Sequence, residues 1–242
     1  MGFNKEGNGY TVLFAAILVV VVGAGLAALS VGLKPAQQAN VKIKNKMDIL
    51  GAIQIKDISR LNADDLYEQY IIDKECLVLD ENGNTKEGLT VEGINIQKEY
   101  KEEIGGKIEA ADKNYPLYVS NVDGAKKYII PMVGSGLWGP IWGYVAVNDD
   151  LESIYGATFF HKNETPGLGA EISTPIFQDQ FVNEKISEKG TYTKMLMMKD
   201  ASGKSEIHKV DGITGGTITS KGVEEMLDRT IQVYVDYFKK LK

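Results

Sequence analysis

Residues 211–220, DGITGGTITS, set the Gly215–Gly216 pair among the hydroxyls of Thr214, Thr217 and Thr219. Backbone amides at a helix start favour a phosphate, and a helix is expected just downstream. No Gly-Lys-Ser/Thr follows, so this is not a Walker loop, and the G-x-G-x-x-G spacing of a dinucleotide fingerprint is missing. The plain alternative is a turn whose hydroxyls cap the helix, with Thr219 or Ser220 as natural caps. Residues 161–171, HKNETPGLGAE, offer Glu164, Thr165, a Pro-Gly turn, Leu168 and Gly169. Such a loop can present N–H groups, a hydroxyl and an apolar cap to a planar ligand. Nothing marks His161 as a base or metal ligand, which favours a structural or surface role. Residues 134–147, GSGLWGPIWGYVAV, interleave glycines with Trp138, Trp142 and Tyr144. Glycine permits close approach and the aromatics give flat apolar walls; a Gly-rich hairpin with core tryptophans explains the same pattern.

The elements that must position these stretches are partly legible. Residues 10–33 carry no charge. At 1.5 Å per residue a helix of that length spans about 36 Å, enough to cross a bilayer and longer than a usual signal-peptide core. The span has no ionisable side chain, so it forms no ion path alone. Gly23 with Ala27 and Ala24 with Ala28 sit at helical spacing, which suits close helix approach or reflects an Ala/Gly-rich composition. Residues 41–62 read as an amphipathic helix and 62–74 as a second, capped by Asn62 or Asp64. CLVLDENGNTKEG reads as a strand into an Asn82-Gly83 turn. Residues 93–115 form a helix or an insertion. Short β-rich runs follow at 117–121, 125–133 and 140–149. Residues 172–186 are expected to be helical past Pro175, and 195–199 and 204–210 are candidate strands. From Gly222 on, Val223, Met226, Leu227, Ile231, Tyr234, Phe238 and Leu241 make a helical stripe that packs on a sheet. The expectation is an α+β fold with a mostly antiparallel sheet and packed helices, preceded by one transmembrane helix. Its parts are a tail at 1–9, the span at 10–33, a juxtamembrane region at 34–115 and the ligand-binding domain at 116–242.

Composition excludes several classes. The net charge is −6 and, with Lys5 and Glu6 cancelling, the acidic excess follows the apolar span. That argues against a nucleic-acid partner. One cysteine, Cys76, rules out an intramolecular disulfide and a Cys-ligated cluster or zinc site, and no metal site is assigned.

D-x-x-T-G-x-T closely resembles the flavinylation motif of the covalent FMN-binding domain family. The Gly-Leu-Trp-Gly and Glu-Thr-Pro-Gly-Leu-Gly stretches resemble that family's other segments, in the same order. With the anchor, the layout is similar to that of the C subunits of sodium-translocating NADH:quinone oxidoreductases. The motifs cover about residues 115–230, the rest by layout only. Gly216 stands where the family usually has alanine, and Thr214 where serine is common. The resemblance implies that Thr217 accepts FMN through a phosphoester bond, made from FAD by a separate Mg-dependent flavin transferase with release of AMP. It implies phosphate donors near Thr214, Gly215 and Gly216, and a ring slot of Leu137, Trp138, Glu164, Thr165, Leu168 and Gly169. Asp211 would be read by the transferase. The isoalloxazine carries the redox chemistry, so no catalytic side chain is assigned.

With no pocket for NADH or quinone evident, the implied role is an electron relay among the other subunits of a membrane redox complex. Sodium movement falls to those subunits. The family layout puts the FMN domain on the periplasmic side of the inner membrane. Lys34, Lys42, Lys44 and Lys46 follow the span against Lys5 before it, which by charge alone favours the opposite side; long domains weaken that rule. The alternatives are the G-type FMN protein of the related Rnf complex, a membrane-anchored module holding FMN noncovalently, and a cofactor-free ectodomain. The long 35–115 segment favours the first-named complex over Rnf.

Overall fold

The computed structural model describes residues 8–199, 202–203 and 207–242. Most of the expected tail, and residues 204–206 of the candidate strand at 204–210, lie outside them. By contacts the chain forms two units, 1–45 and 46–242. Residues 46–115 therefore pack in the same unit as 116–242.

Helix α1 is Asn8–Ala52, and it runs on through Pro35. Among the described residues it is the one helix long and apolar enough to cross a membrane. Val12, Leu13, Phe14, Ile17 and Leu18 on it are more than half or about half exposed, a surface that suits lipid better than water. The helix expected over 41–62 is its continuation and stops at Ala52, ten residues short. Gln54 and Asp57 have φ of 59° and 58°, which breaks the helical path. α2 is Ala63–Tyr70. Neither Asn62 nor Asp64 caps it with a side chain: the Asn62 amide accepts from Ser59 N–H and donates to the Asp57 carbonyl instead.

The sheet is an antiparallel meander in chain order: β1 Leu77–Leu79, β2 Tyr115–Val122, β3 Ala125–Ser135, β4 Pro140–Val147 and β5 Ile154–His161. α3, Ile96–Ile104, precedes β2. The Asn-Gly turn after β1 forms as expected, with Asp80 Oδ1 accepting from the Asn82 and Asn84 amides and Gly83 at φ 67°. β3 is covered on both sides, so it reads as a continuous apolar run. One face, with Ile130, Met132, Ile141, Val145 and Phe159, packs on α5, Thr217–Leu241, through Val223, Met226, Leu227, Ile231, Tyr234 and Phe238. The other, with Ile129, Tyr144 and Ala146, packs on Ile49, Leu50, Ile53 and Tyr67.

β5 is absent from the sequence reading. Gly156 and Ala157 interrupt its apolar pattern, and Gly156 is there because a Cβ would stand 2.5 Å from the Ala52 carbonyl oxygen. The stretch past Pro175 is shorter than expected, a single turn α4, Pro175–Gln178, followed by a 3-10 turn to Phe181. Two small ladders complete the fold. β6, Ser187–Glu188, pairs antiparallel with β7, Thr191–Tyr192; β8, Leu196–Met198, pairs parallel with β9, Lys209–Asp211.

Candidate functional site

α5 opens at Thr217, five residues before the start read from the apolar stripe, with Gly216 at its N-cap. Thr219 and Ser220 are therefore not caps. Both are buried within the first turn. Ser220 Oγ accepts the Ile213 N–H at 2.9 Å and donates to the Gly216 carbonyl at 3.0 Å, so it clasps the 213–216 turn from inside the helix. Gly215 makes that turn at φ 75°. Thr214, Gly215 and Thr217 are exposed and Gly216 is buried. A Cβ at Gly216 would meet Ile213 Cγ2 at 2.9 Å, which gives a local reason for glycine at this position.

Beside Thr217 lies a groove of about 150 Å³, lined by Met197, Met198, Lys199, Gly212–Gly215, Ser220 and Lys221. Glu224 ties β8 to α5 there: its Oε2 accepts from Met197 N–H at 2.7 Å and from Lys221 Nζ at 2.6 Å. Asp211 is half-buried and engaged. Its Oδ1 accepts Gly203 N–H at 2.7 Å, and its own N–H donates to Gln180 Oε1 at 2.9 Å.

The sequence stretches converge on Glu164. Its carboxylate is 5% exposed and accepts from Trp138 N–H at 2.8 Å and from Thr219 Oγ1 at 2.6 Å. Its own N–H donates to His161 Nδ1 at 3.2 Å, so His161 Nδ1 is unprotonated in this bond and the residue shapes the turn. The Thr165 carbonyl accepts from Leu168 and Ala170, and Gly167 turns the loop at φ 76°. Thr165 is exposed and Gly169 buried. Leu137, Trp138 and Leu168 are 49%, 63% and 41% exposed, unusual for such apolar side chains. Of the aromatics read as flat walls, only Trp138 joins this region. Trp142 stacks on Phe160 and Tyr144 is buried, both in the cluster on the opposite sheet face, because residues two apart on β4 share a side, whereas Trp138 precedes the strand.

Sequence reasoning missed Thr219 as a buried hydrogen-bond donor, Gly136 as a neighbour of Glu164, and Gln180 and Gly203 as partners of Asp211. Only the hydroxyl at Thr219 carried a signal, and it was spent on a cap.

The pattern of the FMN-binding domain family matches residues 136–232. The C subunit of the Na(+)-translocating NADH-quinone reductase of Vibrio alginolyticus is 30% identical over 227 residues, 87% of this chain and 88% of that one. The protein of the same name from Yersinia pestis is 28% identical over 234 residues, 91% and 87% of the two chains. Among solved structures, that of the corresponding C subunit from Parabacteroides distasonis superposes with TM-score 0.73 at 40% identity, over 85% of this chain and 96% of that one. Shewanella oneidensis NqrC superposes with TM-score 0.67 over 85% and 99%, at 21% identity, a likeness of fold alone.

Proposed function

The chain belongs to the family of C subunits of Na(+)-translocating NADH-quinone reductases, and on that premise we propose that its FMN is joined by a phosphoester bond to the Thr217 hydroxyl. It is an FMN-carrying electron-relay subunit of the redox complex, anchored by α1. The observation that carries the covalent reading is the placement of Thr217. Its side chain is exposed at the first residue of a 25-residue helix and borders a groove. Thr219, the neighbouring hydroxyl in the motif, is 1% exposed and already donates to Glu164, which disfavours it as acceptor.

The residues fit the group. The helix start and the N–H groups of Thr214 and Gly215 offer amides to a phosphate, and Lys199 and Lys221 line the groove, Lys221 held there by Glu224. Leu137, Trp138 and Leu168 offer apolar surface to a ring, with Thr165 and Gly169 on the same loop. Glu164 supports that wall from beneath, by its bond to Trp138. When bound, the flavin supplies the electron-carrying chemistry; this chain binds it and orients it.

Attachment needs a separate flavin transferase, because an unaided threonine hydroxyl is a poor nucleophile. Asp211 is held by Gly203 and Gln180, so it shapes the segment that the transferase reads. The other partners are the remaining subunits of the complex and membrane lipid. We place the soluble unit on the periplasmic side of the inner membrane. The attachment test is intact mass and in-gel flavin fluorescence after coexpression with a flavin transferase. The wild-type chain gains one FMN, and Thr217→Ala gains none. Loss of the label in Thr219→Ala with retention in Thr217→Ala would move the acceptor to Thr219.

A further inference from the structure

Glycines in separate segments are empty of side chain at the same place. A Cβ at Gly136 would stand 2.6 Å from Glu164 Oε1, and one at Gly169 would collide with Glu164 Oε2 and lie 2.5 Å from Thr219 Oγ1. Neither glycine has a positive φ, so backbone conformation does not require them. The room they leave is filled by one buried carboxylate. One oxygen of that carboxylate takes the N–H of Trp138, at the tip between β3 and β4. The other takes the hydroxyl of Thr219, two residues along α5 from Thr217.

We propose that Glu164 is a positioning residue, clasping the turn of α5 that bears Thr217 to the 136–139 tip that bears Leu137 and Trp138. It touches no reacting atom. Its role is to fix the separation between the point of attachment and the apolar surface for the ring. This rests on the proposed attachment only for its flavin readout; the clasp itself is a property of the chain without cofactor.

The chemistry of the clasp singles out its conservative replacement. Glutamine at 164 can accept the Trp138 N–H with its oxygen and donate from its amide nitrogen to Thr219 Oγ1, because a hydroxyl can turn from donor to acceptor. Alanine can do neither. Valine at 219 releases α5 while leaving the Trp138 bond in place.

The experiment uses the full chain in detergent micelles. In the chain without cofactor, hydrogen exchange is read at the amides of Trp138 and of the first turn of α5. In Glu164→Ala, exchange at Trp138 should rise roughly tenfold or more, the scale of losing a hydrogen bond to a buried carboxylate. Glu164→Gln should return it to the wild-type rate. Thr219→Val should speed exchange in the α5 turn but not at Trp138. Gly136→Ala should lower the urea midpoint in the wild type and much less in the Glu164→Ala background, since the carboxylate that its methyl meets is then gone and the next contact is Ile141 Cγ2 at 3.0 Å. After coexpression with the transferase, Glu164→Ala should keep full covalent loading by intact mass with a shifted flavin absorption band, and Glu164→Gln should restore the band.

Wild-type exchange at Trp138 in Glu164→Ala, or an unshifted flavin band in that variant, would overturn the proposal. So would a Glu164→Gln chain that behaves as Glu164→Ala. A wild-type chain that takes no covalent flavin sinks the attachment at Thr217, while the exchange and urea readings still decide the clasp.

Discussion

Leu168 rests on Gly215: a Cβ at that glycine would come within 2.7 Å of Leu168 Cδ2. The loop that follows β5 and the turn before α5 lie almost fifty residues apart in sequence, yet they meet in van der Waals contact. The surface proposed for the ring and the segment proposed for attachment are neighbours in space.

Leu168→Ala tests whether neighbours are also separable. The side chain is 41% exposed, so its loss costs about 1 kcal/mol rather than the several expected for a buried leucine. Covalent flavin should remain, measured by intact mass. Flavin absorption should shift and quinone reduction by the complex should fall. Thr165→Val should behave likewise. Gly215→Ala is the harsher change, because φ is 75° and the new methyl meets Leu168; strain of about 1–2 kcal/mol is expected. Combined with Leu168→Ala, part of that cost should disappear in urea titration. Loss of flavinylation in a folded Leu168→Ala chain would show that attachment needs the ring surface already in place.

Cys76 should be a slow thiol. Burial pushes its pKa up to about 11, and Sγ accepts the Val119 N–H at 3.4 Å. At pH 8 about a thousandth of it is thiolate. Iodoacetamide labelling of the native chain should be slow at pH 8 and rise roughly tenfold per pH unit to about pH 10. Rapid labelling at pH 7 would contradict the burial.

Asp228 gives the 46–242 unit an acid-side dependence. Burial alone would raise its carboxyl, but hydrogen bonds from Lys194 and Tyr192, both 2.7 Å, hold it below the usual 3.8. A depressed carboxylate stabilises the fold above its unfolded pKa and ceases to do so as pH falls through the folded one. Asp228→Asn should therefore lower the thermal midpoint at pH 7, and the gap to wild type should close below about pH 4. A gap that widens on acidification would reverse the assignment.

Membrane sidedness is decided by reporters. Alkaline phosphatase fused after Lys242 should be active and a fluorescent cytoplasmic reporter dark. The opposite pattern would mean that the four lysines at 34, 42, 44 and 46 set the topology.

The three stretches proposed to hold the flavin stood out because glycine, hydroxyl and aromatic residues crowd there, and their order carried the family resemblance. The α5 stripe was legible because burial on one side leaves a helical period. Its first turn was not, since Thr217, Thr219 and Ser220 are polar, Ile218 is exposed, and the buried members serve hydrogen bonds rather than the apolar core. β5 escaped because Gly156 makes room for the end of α1 and Gly143 faces Phe159 across the ladder, contacts that no local pattern displays. The clasp at Glu164 joins residues 26 and 55 positions apart. A sequence shows each partner and not the meeting.

The start of α5 at Thr217 has a mechanical consequence. The first rung of that helix runs from Ser220 N–H to the Gly216 carbonyl, so the Thr217 amide donates no rung of its own. A bulky substituent on this residue hangs from the end of a rod whose other turns are bolted to the sheet by Val223, Met226, Leu227 and Ile231. If the proposed attachment holds, an enzyme can grip and load that end while the rod stays seated, and the load falls on a turn rather than on the core.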